Sequence, residues 1–300
     1  MIQSRLNMNI LITGHKGFVG RHFVKYFSAN SKNNIIGIDI VDNQDCRDFF
    51  KTDLSSKGHW DLVIHLAAIV GGRQTIESDP IAVAIDLSID AEMFNWAVRQ
   101  HPKKIVYFSS SAAYPIAFQT KTRRHKLIES DIDLAKVAQP DLTYGWTKLT
   151  GELLAQFARD QYGLDVSVFR PFSGYGEDQD LSYPFPSFIQ RGKQKQNPFI
   201  IWGDGTQTRD FIHIDDIVAA TIKALEMNVQ QPINLGWGRP TSFNQLARMV
   251  IKTAGYSAKL KHHLDKPVGV HYRVANPKLL FSFYQPKISL EEGIARALHV

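Results

Sequence analysis

Two short stretches carry residues able to do chemistry, and they lie about 130 residues apart in a chain of 300. The first is Thr13-Gly14-His15-Lys16-Gly17-Phe18-Val19-Gly20. Gly14 allows a tight turn, Gly17 lets a backbone approach a pyrophosphate, and Gly20 lets the next helix pack close to the preceding strand. Lys16, Phe18 and Val19 fill out the same turn. A helix opening here offers free N–H groups and the positive end of its dipole to phosphates. The second stretch is Tyr144-Gly145-Trp146-Thr147-Lys148. Residues at i and i+4 lie one above the other on a helix face. A free phenol titrates near ~10, too high for a base at neutral pH. An ammonium one turn away favours the phenolate. A serine usually completes such a site by polarising the substrate oxygen, and Ser109, Ser110 and Ser111 are the candidates. Either stretch alone is a weak signal. Together they point to a proton moved by Tyr144 while a hydride moves to or from a dinucleotide.

These groups need a scaffold, and the apolar pattern supplies one. Asn9 to Thr13 reads as a first strand, and Val19, Phe23 and Phe27 recur at the four-residue spacing of a helix. Ile35 to Asp39, Leu62 to Leu66, Lys104 to Phe108 and Asp165 to Phe169 read as further strands. Ile81 to Arg99 reads as one long helix, and Tyr144 to Tyr162 as another. Strands alternating with helices predict parallel β-α-β units in a doubly wound sheet, apolar on both faces. The three serines then sit at the carboxyl end of a strand, where open α/β sheets bind ligands. Asp39 follows Gly20 by 19 residues. A carboxylate there accepts hydrogen bonds from ribose hydroxyls and repels a 2′-phosphate, which favours NAD over NADP. The simpler reading of Asp39 is a cap at the strand end. Lys16 is the counter-signal, since a cation in the turn suits a 2′-phosphate.

After Arg170 the texture becomes rich in Gly, Pro and aromatics. Helices are expected at Phe188 to Gly192, Val218 to Met227, Phe243 to Ala254 and from Ser289 onward. Phe199 to Trp202 reads as a strand, and Pro232 to Leu235 as a parallel strand of the main sheet. The expected division is a Rossmann-like NAD-binding domain over 1–170, receiving segments near 210–240. A smaller substrate-binding lobe over 171–300 interleaves with it.

Composition bounds the class. Hydrophobic residues make up 44% of the chain and charged ones 21%, ordinary for a globular protein. No apolar run is long enough to span a bilayer, and no signal peptide is evident, so a cytoplasmic protein is expected. The single cysteine, Cys46, excludes an intrachain disulfide and a thiolate metal cluster, and reads as an ordinary thiol. No metal is expected. Net charge is +6, with one basic run at Lys121-Thr122-Arg123-Arg124-His125-Lys126. That run reads first as a solvated loop, then as a lip for an anionic substrate or a nucleic-acid patch. The intact Tyr144/Lys148 pair argues against a nucleic-acid-binding or sensor protein.

Taken together, these residues resemble the extended short-chain dehydrogenase/reductase family of nucleotide-sugar epimerases, dehydratases, decarboxylases and ketoreductases. The resemblance covers nearly the whole chain. It implies that Asp53-Leu54 contacts adenine, that Ile40 belongs to the cofactor site, and that Leu66-Ala67-Ala68 lines the cofactor. Arg170-Pro171-Phe172-Ser173-Gly174-Tyr175-Gly176 resembles a stretch below the sugar nucleotide, with Ser173 where the family has a substrate-contacting Asn. Gly203 to Asp216 matches a family hallmark whose arginine, Arg209, contacts the substrate diphosphate, and Arg273 resembles a second phosphate-binding arginine. Their plainer reading is surface salt bridges. His213 and Asp216 read as structural. Asp86 stands where the family often has a cofactor-contacting Asn.

Absences narrow the chemistry further. Ser110, Ser111 and Ala112 stand where dehydratases of the family carry Thr-Asp-Glu. Ala112 also stands where relatives that epimerise C3 or C5 carry a cysteine, two residues before Tyr114-Pro115. Ala67 to Gly72 nonetheless resembles the glycine-glycine loop of the GDP-sugar enzymes. What remains is C4 oxidation or reduction using Tyr144, Lys148 and Ser110 as catalytic residues, with Ser111, Ser173, Arg209 and Arg273 holding a nucleotide-diphosphate sugar. The expected activity is an NAD-dependent 4-epimerase, with a C4 dehydrogenase or 4-ketoreductase as its rival. The resemblance also implies a homodimer, formed through two helices per subunit including the Tyr144 helix.

Overall fold

The computed structural model describes residues 7–53, 55–69 and 77–300. Six parallel strands form the main sheet: β1 (Asn9–Thr13), β2 (Asn34–Ile38), β3 (Leu62–His65), β4 (Ile105–Phe108), β5 (Val166–Pro171) and β9 (Ile233–Leu235). Their order is β2-β1-β3-β4-β5-β9. This is the doubly wound α/β architecture that the alternation of strands and helices implies. The order reverses between β1 and β3, so the glycine turn after β1 opens beside the residues after β3, at the switch point where such sheets bind ligands.

Each face of the sheet is covered because consecutive strand residues point opposite ways. Ile10 and Ile12 pack on one side with Phe23 and Phe27 of α1 (Phe18–Ser28) and with Ile217. Leu11 and Val63 pack on the other with Phe50 of α2 (Cys46–Thr52), Met93 and Trp96. The expected helix over 81–99 is in fact two, α3 (Pro80–Val83) and α4 (Asp86–Gln100). The join is made of tight i→i+3 bonds from Ile85 and Leu87, and the Asp86 carboxylate at the restart is held by the Ile69 N–H.

α5 (Leu142–Tyr162) begins two residues before Tyr144 and ends at Gly163 in the left-handed region. Its face toward the sheet is closed by a buried ion pair. Arg170 on β5 donates two hydrogen bonds to Glu152 (2.9 and 2.6 Å) and one each to the Tyr114 hydroxyl and the Glu129 carbonyl. Tyr114 in turn donates to Asn234 on β9 at 2.7 Å. Arg170 is 1% exposed, and this network knots β5, α5 and β9 together rather than facing a ligand.

The remaining strands form a second layer. β8 (Thr208–His213) pairs with β6 (Ser173–Tyr175), β10 (Pro240–Ser242) and β12 (Tyr272–Arg273), while β7 (Phe199–Trp202) pairs with β11 (Leu260–His263). α6 (Pro184–Lys193), α8 (Phe243–Thr253) and α9 (Leu290–His299) enclose a separate aromatic core around Tyr175, Phe185 and Phe199. α7 (Ile214–Glu226) starts four residues earlier than the apolar pattern predicts, because His213 caps it. Asp216 holds the Tyr284 hydroxyl and the Lys287 and Ile288 N–H groups, a structural role. No helix among the described residues is long and apolar enough to cross a membrane.

Candidate active site

The glycine turn is dictated by space. Gly14 sits at φ 70°, and a Cβ there would stand 2.9 Å from the Ala67 nitrogen. A Cβ on Gly20 would stand 2.1 Å from the Gly14 carbonyl oxygen, so any side chain would push α1 off the strand. Thr13 ties the neighbouring strand end down: its hydroxyl is bonded to His65 Nδ1 and accepts the Leu66 and Ala67 N–H groups. Gly17 caps α1 with no side-chain acceptor, leaving the first-turn N–H groups to a phosphate.

This turn forms one end of a cavity of about 630 Å³, a size suited to a small-molecule ligand. Gly14, Lys16, Gly17, Phe18, Val19, Gly20, Asp39, Ile40, Leu66, Ala67 and Ala68 line it, and Ser110, Tyr144 and Lys148 close its far end. Asp39 is buried and serves as a cap while lining the cavity: one carboxylate oxygen accepts the Lys16 N–H (2.9 Å), the other the Val41 N–H (3.0 Å). The Lys16 ammonium is paired with Asp42. Cys46 also lines the wall; burial pushes its thiol up to about 12, which keeps it protonated.

Asp53 follows the last residue of α2. It lies outside the cavity lining, and its carboxylate accepts from the Trp60 and Trp96 indoles and from Ser55. The two indole donors draw it into the packing between α2 and α4. Leu54 and residues 70–72 of the glycine-glycine loop lie outside the described residues.

Tyr144 and Lys148 share one face of α5, with the Lys148 ammonium 5.9 Å from the Tyr144 ring centroid and 5.4 Å from that of Tyr107. Burial, reinforced by the Asp86 carboxylate, raises the Tyr144 phenol well above its ordinary range, and a hydrogen bond with Ser110 pulls it back. Ser110 itself caps the turn after β4, accepting the Ala112 N–H at 3.1 Å. The site thus holds a neutral phenol bonded to a hydroxyl, beside a buried ammonium.

A second cavity of about 660 Å³ meets the first at this point. Ser110, Tyr144, Phe172, Gly174, Gln179 and Tyr183 belong to both. Ser111, Ser173, Arg209 and Arg273 line the second. Arg209 is held by the Val270 and Val268 carbonyls and lies over Phe243. Arg273 is fixed between Gln119 (2.6 Å) and Asp141 (2.7 Å). Asp141 is the one carboxylate among the described lining residues. The basic run lines neither cavity. Lys121 pairs with Asp204, Arg123 stacks on Phe118, His125 pairs with Asp131 and Lys126 donates to Gly238.

Sequence reading missed Arg191. It projects from α6 into the second cavity over the Phe188 and Phe199 rings, and burial alone lowers its pKa. No ion pair joins it to an acid among the described residues, so a desolvated cation faces the cavity uncompensated. The available signal was a lone arginine flanking the Phe185/Phe188/Ile189/Gly192 stripe. Among the described residues, no group of three or more His, Cys, Asp or Glu is arranged to hold a metal ion.

Comparison with known proteins fits this geometry. The family model for the NAD dependent epimerase/dehydratase family matches residues 10–236. UDP-glucuronate 4-epimerase of Thermodesulfobacterium geofontis is 33% identical over 267 residues, spanning 87% of this chain and 77% of that protein. GDP-L-fucose synthase 1 of Arabidopsis thaliana is 25% identical over 303 residues, covering 96% and 91%. Among solved structures, UDP-glucuronic acid 4-epimerase from Bacillus cereus, in complex with UDP-glucuronic acid and NAD, superposes with a TM-score of 0.80 at 25% identity over 97% and 99% of the two chains. A GDP-6-OMe-4-keto-L-xylo-heptose reductase from C. jejuni shares the fold, with a TM-score of 0.81 at 22% identity over 98% and 97%. The chain therefore belongs to the NAD dependent epimerase/dehydratase family, of the extended short-chain dehydrogenase/reductase type, whose cofactor is NAD.

Proposed function

We propose that this enzyme interconverts nucleotide-diphosphate sugars at C4, acting as a 4-epimerase through transient C4 oxidation. The observation that carries this reading is the meeting of the two cavities at Ser110 and Tyr144. NAD, held by the glycine turn, Asp39, Ile40 and Leu66 to Ala68, supplies the hydride acceptor and donor. Gly14 and Gly20 support its fit, since a Cβ at either would collide with backbone and displace the turn that presents its N–H groups to the phosphates. The sugar nucleotide occupies the second cavity, its diphosphate among Arg191, Arg209 and Arg273 and its hexose against Ser111 and Ser173.

Tyr144 takes the proton from the C4 hydroxyl and later returns it. Ser110 holds the C4 oxygen, and the Lys148 charge stabilises the phenolate as it forms. The 4-keto sugar turns over within the second cavity and is reduced on its other face. Dehydration at C5–C6 lacks its acid and base. Ser110, Ser111 and Ala112 supply no carboxylate, and Asp141 is tied to Arg273.

A C4 reductase is the second reading. Burial and the nearby Asp86 carboxylate favour the protonated phenol, the form that donates to a keto oxygen. The GDP-sugar enzymes among the relatives support it. The two readings separate in a label experiment with UDP- and GDP-hexoses deuterated at C4. Inversion at C4 with the label retained marks the epimerase. Transfer of label to free cofactor marks the one-way enzyme. A chain that binds NAD yet converts neither the hexoses nor the 4-keto hexoses of either series would refute the C4 assignment.

We also propose a homodimer through α4 and α5. Leu87, Trp146, Phe157 and Tyr162 leave large apolar surface exposed on these two helices. Light scattering that gives a monomer at micromolar concentration would refute it.

A further inference from the structure

Behind the cavity wall, at the first residue of α4, Asp86 is fully buried. One carboxylate oxygen accepts the Ile69 N–H at 2.6 Å. The other has no partner among the described residues. A buried carboxylate with an unmet oxygen is costly to keep unless a nearby cation or a proton compensates it. The cation available is Lys148 on α5, whose charge acts on Asp86. Other titratable groups surround the pair. Asp90 lies one turn along α4 and is bonded to His65 of β3 and Tyr107 of β4. Tyr144 and Glu152 face inward from α5, Glu152 being neutralised by Arg170. Burial holds the Asp86 carboxyl up at about 6, against the pull of Lys148 and of the Ile69 N–H.

We propose that Asp86 is a charge-setting residue of the active site: its ionisation is coupled to both Lys148 and Tyr144, so that loading the cofactor cavity drives a proton from Asp86 to solvent. A nicotinamide cation held in the cavity that Lys148 lines would add positive charge to a desolvated pocket, and would favour the carboxylate form of Asp86. Once ionised, Asp86 opposes the Tyr144 phenolate, which holds the tyrosine as a proton donor and sets the balance between the reducing and oxidising half-reactions. This inference rests on NAD occupying the first cavity, as in the function proposed above.

The test is calorimetric and needs no sugar substrate. NAD is titrated into the wild-type protein and into Asp86→Asn at pH near 6, in two buffers of different ionisation heat. Asn keeps the size of Asp86 and can still accept the Ile69 N–H. Wild type should release about half a proton per site at that pH, and Asp86→Asn none. In turnover, where the cofactor is bound, the pH profile of wild type should carry an inflection below 6 that the variant lacks. Equal proton release in the two proteins, or no release by wild type, overturns the role of Asp86 while leaving the cofactor assignment standing. Failure of wild type to bind NAD overturns both.

Discussion

Replacing Arg191 by alanine should separate the two cavities in one experiment. The guanidinium centre lies 5.2 Å from the Phe188 ring centroid and 6.0 Å from that of Phe199, facing the second cavity. A charge-assisted contact to a diphosphate is worth about 1.5–3 kcal/mol. At about 1.4 kcal/mol per decade, its loss weakens binding roughly 10- to 150-fold. The folded protein loses two ring contacts of about 0.5–1 kcal/mol each. It is also relieved of a desolvated charge, so net stability should fall by less than about 2 kcal/mol. Isothermal titration with UDP, GDP and NAD reads both effects. Nucleoside diphosphate affinity should drop into that range while NAD affinity stays within about twofold, because Arg191 lines only the second cavity. Unchanged diphosphate affinity in a folded variant would refute the placement of the diphosphate. Equal loss of NAD would refute the separation of the cavities.

Two further substitutions probe the first cavity and the frame that holds it. Asp39→Ala removes the acceptor for the Lys16 and Val41 N–H groups as well as the proposed ribose partner. NAD affinity should fall, the gap to NADP should narrow, and thermal unfolding should report a loss of about 1–2 kcal/mol. An unchanged NAD/NADP ratio would show that Asp39 is only a cap. Glu152→Ala strands the buried Arg170 guanidinium. Chemical denaturation should show about 3–5 kcal/mol lost, and a loss below 1 kcal/mol would mean that water or another acceptor enters the network.

The parts of the site legible in the sequence are those set by neighbours along the chain. Gly14, Gly17 and Gly20 lie within one turn and the start of one helix, and Tyr144 and Lys148 within one turn of α5, so spacing alone fixes their geometry. Arg209 and Arg273 came from resemblance, and both line the second cavity. Residues whose role depends on distant partners were harder to place. Asp53 could not be assigned without knowing that the Trp60 and Trp96 indoles converge on it. Arg191 flanks an ordinary apolar stripe, and only the distant walls of the second cavity, Trp202 of β7 and Arg273 of β12 among them, make it a cavity residue. The break at Ala84–Ile85 hides inside a sequence with good helical periodicity. α2 was missed because its seven residues include three charges, and β8 because Thr208-Arg209-Asp210 reads as loop until β10 and β12 pair with it.

The measurement that bears most directly on the proton-transfer role is the pair of constants for Tyr144→Phe: its NAD dissociation constant, and its turnover of whichever UDP- or GDP-hexose the wild type converts at C4. Phenylalanine keeps the ring beside Lys148 and removes only the hydroxyl bonded to Ser110. NAD should bind within about threefold of wild type, while turnover falls by about 10²–10⁴-fold, the share that a positioned acid–base group contributes. Turnover within tenfold of wild type, with NAD still bound, would contradict Tyr144 as the group that moves the proton.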